Sequence, residues 1–147
     1  MPVLVDGNNL MHSFPTHDRT RAAVRRSTLE LARSEKTSVT VVFDGPAPDG
    51  VPERERLGRT TIVYSGAEKA DDVIVRSLPA GSSAREWVVV TADRDLADRA
   101  RRRGAQVRRP ADWLRKLMPG ARTYKNDDSP LTAGEIADWE AYFSGDS

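Results

Sequence analysis

The sequence has no cysteine among its 147 residues and only two histidines. That excludes a disulfide framework, a thiolate nucleophile and any thiolate metal site, and it leaves little room for a histidine-based zinc centre. Aromatic residues are scarce, three each of Trp, Tyr and Phe. No run approaches the ~20 apolar residues of a membrane span. The first apolar run, Val3-Leu4-Val5, is too short for a secretory leader and stops at Asp6. No glycine-rich loop of the phosphate-cradling kind occurs, so nucleotide hydrolysis has no support. A cytoplasmic protein is therefore expected. Any bound metal must rely mainly on carboxylates.

What is present is charge, 31% of the residues, beside 38% hydrophobic ones, enough to bury a core. Length and composition fit one globular domain and exclude collagen-like, low-complexity and wholly disordered chains. The charge is unevenly placed. Residues 1–125 hold 23 basic and 16 acidic side chains, a net +7, whereas residues 126–147 hold six acids and no base, −6. A basic body suits a polyanionic partner. A solvated arginine-rich surface with an acidic tail folded against it is the plainer alternative.

Short β-branched runs alternate with longer helical patterns, which predicts an α/β fold with a mostly parallel sheet between two helical layers. The strands are Val3–Val5, Ser38–Phe43, Thr60–Tyr64, Trp87–Val90 and a short fifth at Gln106-Val107. The second and fourth are almost continuously apolar, as when helices cover both faces of a sheet. Helices are predicted over residues 19–35 with Val24, Thr28 and Leu31 inward, and over 67–78 with Ala67, Ala70, Ile74 and Leu78 inward. Two more are predicted over 93–103, with Leu96 and Ala100 inward and Gly104 as the stop, and over 112–118. Residues 45–59 read as a long mobile loop. The domain is set at 1–119, a linker at 120–131, and a short acidic helix at 132–147, capped by Thr132 and Glu135, is expected to dock back on the domain.

Acids follow the strands. Asp6 ends the first, Asp44 the second, and Asp93 and Asp95 follow the fourth. Ligands bind at the carboxyl edge of a parallel sheet, at the switch point in strand order. If the order is 3-2-1-4-5, strands 1 and 4 are neighbours there, and Asp6 and Asp93 sit side by side. Of the pair after strand 3, Asp71 lies within about 60° of Ala67, Ile74 and Leu78 on a helical wheel, and Asp72 about 100° further round, toward solvent. Asp71 is therefore the candidate.

Converging carboxylates raise one another's pKa, and a divalent cation relieves the repulsion; hard oxygen donors favour Mg²⁺ or Mn²⁺, which suit phosphodiester hydrolysis. Each acid also has an ordinary reading. Any one of them can cap a helix or fix a turn, Asp95 can be a first-turn acid, and Asp98 can pair with Arg101 or Arg102. Asp44 either orients ligands or fixes the turn before Pro46. Gly7 suits a left-handed or tight turn, and Asn9 either holds Asp6 or meets a phosphate. His12 and His17 read as surface residues of a loop. Candidate phosphate contacts are Arg94, beside the acids, and Arg54, Arg56 and Arg59 in the long loop; the Arg19, Arg26 and Arg33 ridge is a weaker one.

Val5-Asp6-Gly7-Asn8-Asn9-Leu10, Val41-Val42-Phe43-Asp44, Ala70-Asp71-Asp72-Val73-Ile74 and Val90-Thr91-Ala92-Asp93-Arg94-Asp95 occur in the order seen in NYN-domain proteins. Over about residues 2–110 the chain resembles the YacP-like branch of the PIN-like nuclease superfamily, and more loosely in its tail. The resemblance implies a PIN-like α/β/α fold and a metal-dependent endoribonuclease whose in-line hydrolysis leaves a 5′-phosphate and a 3′-hydroxyl. It makes Asp6, Asp71 and Asp93 metal-centre acids with Asp95 as a fourth, and aligns Asn9 with the Asn of an Asp-Gly-x-Asn pattern. Asn8 stands where an aromatic is common and Asp72 where a Glu is common, which leaves Asp72 a reserve ligand. The implied partner is RNA, single-stranded or ribosome-associated, with a homodimer left open and no membrane. A non-catalytic RNA- or ribosome-binding module is the alternative. Small-molecule phosphoesterases fit less well: strand 1 lacks an Asp-x-Asp, and no glycine run follows Asp95.

Overall fold

The computed structural model describes residues 1–117. The predicted linker and the Thr132–Glu135 capping box with its docked helix lie outside the described residues. The chain runs β1 (Val3–Asp6), α1 (Gly7–His12), α2 (Arg21–Ser34), β2 (Val39–Phe43), β3 (Arg54–Leu57), β4 (Thr60–Tyr64), α3 (Ala70–Ser77), β5 (Val88–Val90), α4 (Arg94–Arg102), β6 (Gln106–Arg108) and α5 (Pro110–Leu114), with single 3₁₀ turns at Thr16–Asp18, Gly81–Glu86 and Arg115–Leu117. The six-stranded sheet has the order β3-β4-β2-β1-β5-β6. Every neighbouring pair is parallel except β3 with β4.

The strands are apolar at successive positions because each supplies both layers. Val3, Val5, Val39, Val41, Phe43, Val88 and Val90 face one core with Leu10, Phe14, Val24, Leu31, Trp113 and Leu114. The alternate residues Leu4, Val42 and Val89 face a second core with Ile74, Leu96 and Ala100. Period-two alternation thus divides the strands between α1, α2 and α5 on one side and α3 and α4 on the other. Among the described residues no helix is long and apolar enough to cross a membrane.

The five predicted strands stand in the predicted order, and the sheet gains one edge strand. Residues 54–57, expected in a loop, pair antiparallel with β4 from Arg54↔Val63 to Leu57↔Thr60. Gly58, at φ +60°, and Arg59 make the hairpin turn. Composition hid this strand, since its Arg and Glu positions are those a charged edge tolerates, while Leu57 packs on the first core.

Other differences are local. Gly7 opens α1 instead of making a left-handed turn, and His12 ends that helix. Ala67 is exposed, because Gly66 turns at φ +66° and α3 starts only at Ala70. The last predicted helix starts two residues earlier, with Pro110 in its first turn, and closes as a 3₁₀ turn at 115–117. Gly104, at φ +95° after α4, is the predicted stop.

A candidate active site at the sheet's switch point

β1 lies between β2 and β5, and its carboxyl end is where the strand order reverses. No loop follows it. Asp6 is at once the last residue of β1 and the N-cap of α1, its Oδ1 accepting from the Asn9 amide at 3.3 Å. Its Oδ2 accepts from the Thr91 hydroxyl at 3.3 Å, and Thr91 Oγ1 accepts in turn from the Asp93 amide at 3.0 Å. The Asn9 side chain closes the same junction, its Oδ1 accepting from the Ala92 amide at 2.6 Å. Asp93 is the N-cap of α4, with Oδ1 accepting from the amides of Asp95 (2.9 Å) and Leu96 (3.2 Å). Capping and convergence are thus not alternatives here, because Asp6 and Asp93 do both.

Asp71 arrives from the first turn of α3, half-buried, while Asp72 points outward and pairs with Arg99 of α4 at 3.0 Å. Asp44 fixes where α3 begins. Its Oδ1 accepts from the Ala70 amide at 3.0 Å, and its own amide donates to Asn8 Oδ1 at 3.1 Å. Its carboxylate therefore ties α3 to the end of β2. Asp98 pairs with Arg101 at 3.6 Å.

A cavity of about 320 Å³ opens here, lined by Asp6, Asn8, Asn9, His12, Asp44, Lys69, Ala70 and Asp71. Burial pushes the Asp6 carboxyl up to about 6; the hydrogen bonds from Asn9 and Thr91 oppose that rise, and the charges of Asp71 and Asp93 add to it. Asp71 is also raised, first by burial, then by Asp93, with Arg99 opposing and Asp72 and Asp44 adding smaller repulsion. Asp6, Asp71 and Asp93 thus lie within electrostatic reach of one another. In the arrangement seen, no three Asp, Glu or His side chains among the described residues are gathered closely enough to hold one ion. Asp93 has turned one oxygen to its own helix, and its Oδ2 accepts no hydrogen bond among the described residues.

Asp95 is exposed in the first turn of α4, and its charge is not among those acting on Asp6 or Asp71. Arg94 is exposed beside Asp93, at the same edge. The other predicted cations scatter. Arg54 pairs with Val63, near the carboxyl end of β4. Arg56 pairs with Thr61, nearer the opposite edge. At that edge the Arg59 carbonyl accepts from the Val39 amide at 2.9 Å, and its guanidinium donates to the Lys36 carbonyl at 3.2 Å. Sequence reading missed Lys69 as a lining residue and gave Thr91 no part; His12 is exposed, as expected, and also lines the cavity. The place of Thr91 directly after a strand and two residues before Asp93 was the available signal.

A parallel α/β/α sheet with acids from three elements at its switch point defines the class of NYN domains, a nuclease-like family. The chain belongs to the YacP-like NYN domain family, whose model matches residues 3–129. Its fold is similar to the crystal structure of Rae1 (YacP) from Bacillus subtilis, at TM-score 0.59 and 20% identity over 80% of this chain and 73% of that one. The W164L mutant of the same protein gives TM-score 0.60 and 21% identity over 79% and 74%. No curated protein matches the sequence.

Proposed function

We propose that the protein is a metal-dependent endoribonuclease that hydrolyses RNA phosphodiester bonds. The observation that carries this is the approach of Asp6, Asp71 and Asp93, from three separate elements, at one sheet edge, where Asp6 and Asp71 line the cavity and repulsion among the three outlasts the opposing Arg99 charge and the hydrogen bonds to Asp6. The donors are all hard oxygens, which fits Mg²⁺ or Mn²⁺. Asp6, Asp71 and Asp93, which are not gathered around one point in the arrangement seen, would have to draw together to hold the cation, with Asp95, two residues after Asp93, as a fourth acid. When bound, such a cation supplies charge neutralisation at the scissile phosphate and a more acidic water. The chain's own residues do the rest. Asn9 and Thr91 hold Asp6 and the 91–93 segment in fixed register, and Lys69 and Arg94 offer positive charge to the phosphates on either side. Water adds to phosphorus in line as the bond to the 3′ oxygen breaks; that oxygen takes a proton, leaving a 3′-hydroxyl and a 5′-phosphate.

The test is cleavage of labelled single-stranded RNA in Mn²⁺, Mg²⁺ or EDTA by wild type and Asp71→Asn. The expected result is cation-dependent cutting by wild type and a loss of about 10²-fold or more in the variant. Full-rate cutting by Asp71→Asn would remove the site from the reaction. Binding without cutting by wild type would favour an RNA- or ribosome-binding module.

Asn9→Ala probes the second layer. It leaves the Ala92 amide without its side-chain acceptor and frees the 91–93 segment from α1. Cleavage should fall roughly 10–100-fold, as for other residues that orient ligands. Stability should fall by only about 1 kcal/mol, the worth of one hydrogen bond, read from thermal melts. An unchanged rate would show that the clamp has no part in the chemistry.

A further inference from the structure

One arginine at the carboxyl edge is not explained by the cavity. Arg21 is the first residue of α2 and is exposed. Its guanidinium lies 5.5 Å from the centre of the Phe43 ring and 5.4 Å from that of Tyr64. The two rings stack on each other at 5.6 Å and 26° and are the last residues of β2 and β4. Phe43 also lies directly beneath Gly7, and the next residue, Asp44, lines the cavity. One ring therefore separates the guanidinium from the junction that carries Asp6.

The fold draws no ion pair from this side chain. Arg25, one turn further along, is paired with Glu55 at 3.1 Å, whereas no carboxylate among the described residues pairs with Arg21. At the first position of a helix a cation also faces the positive end of the dipole, which is unfavourable. Cation–π contact with two rings at these distances limits the orientations to be lost on binding while the side chain stays exposed. A planar, pre-oriented guanidinium suits a phosphate, which it can meet with two hydrogen bonds.

We infer that Arg21 is a substrate-positioning residue that holds the phosphate of a nucleotide flanking the scissile one, on the α1–α2 side of the cavity. This rests on the reading of the protein as acting on RNA. A phosphate chain crossing a group of acids needs cations on both flanks. Arg94 stands on the α4 side and Lys69 at the cavity; Arg21 supplies the remaining flank.

The test separates binding from cleavage. Anisotropy of a labelled single-stranded RNA is measured in EDTA over a salt series, with the full chain as wild type, Arg21→Gln, Arg21→Lys and Arg33→Gln. The fold puts Arg33, exposed in the last turn of α2, near the amino edge of the sheet and away from the cavity, so it is no phosphate contact of this site and controls for loss of one positive charge at the far end of the same helix. Arg21→Gln should weaken binding about three- to tenfold and lower the slope of log K against log salt by about 0.7, one phosphate's share on a single strand. Arg33→Gln should change neither. Arg21→Lys should keep the slope and recover part of the affinity, since it keeps the charge without the plane. If Arg21→Gln binds like Arg33→Gln, the inference is overturned while the nuclease reading stands. If wild type binds no RNA, both fall.

Discussion

Asp6→Asn should abolish cleavage and, in metal-free buffer at neutral pH, make the protein more stable. The loss of activity, ~10²–10³-fold or more, follows from removing the most buried of the three acids, one that faces the cavity directly. The gain in stability follows from the same burial. The Asp6 carboxyl is raised to about 6 in the folded protein from an ordinary value near 3.8, so between those values the native state binds the proton that the unfolded chain has released. Stability then falls as pH rises from about 4 through 6 and stays low above. The full difference corresponds to about 3 kcal/mol at 1.36 per unit. Asparagine serves the Asn9 amide and Thr91 less well than a carboxylate, so the net gain should be about 1–2 kcal/mol at pH 7.5, or ~3–8 °C in the midpoint. Below pH 4 it should vanish. Thermal melts of wild type and Asp6→Asn in EDTA at pH 3.5, 5.5 and 7.5 check this, and parallel curves at all three pH values would refute it. Added Mn²⁺ should raise the wild-type midpoint at pH 7.5 and leave that of Asp6→Asn almost unmoved, a readout that needs no turnover.

How much of this was legible in the sequence depends on the kind of signal. Strand order and the place of Asp6 and Asp93 were, because buried parallel strands write themselves as apolar runs and an acid directly after such a run has one edge to occupy. Asp71 was chosen over Asp72 by a hundred degrees of helix, and the Asp72–Arg99 pair supplies the outward partner. Apart from Arg94, which directly follows Asp93, the arginines were not legible. Arg54, Arg56 and Arg59 are close in sequence, but the β3–β4 hairpin carries them from one edge of the sheet toward the other. Arg21 is 15 residues from Asp6, the nearest of the site acids in sequence, and only the packing of α2 on Phe43 and Tyr64 brings it to the site edge. Charge patterning carries no long-range register, whereas hydrophobic periodicity does. Gly7 was misread for a related reason. A glycine signals either a backbone angle or a close neighbour, and only the fold tells which.

Gly7→Ala should therefore be among the most damaging single-methyl changes available. The residue opens a helix, where alanine is intrinsically better than glycine by up to ~1 kcal/mol, so propensity alone predicts a gain. Packing predicts the reverse. A Cβ there would stand 2.7 Å from Phe43 Cδ1, 2.8 Å from Phe43 Cε1 and 3.0 Å from Val41 Cγ1. Neither neighbour is a flexible surface chain: both side chains are in the core, and Phe43 is held between Gly7 and the Tyr64 ring. Relief requires α1 to lift from the sheet, and α1 carries Asn8, Asn9 and the amide that Asp6 caps. Overpacking of this kind costs about 1–3 kcal/mol, enough to outweigh the helix gain, and cleavage should fall more than stability because the displaced helix end is the cavity wall. Phe43→Leu would open space under the new methyl. In a double-mutant cycle Gly7→Ala with Phe43→Leu should be less destabilised than the sum of the single changes by ~1 kcal/mol or more. Additivity, or a neutral Gly7→Ala, would mean that the contact between Phe43 and the start of α1 does not set the position of Asp6.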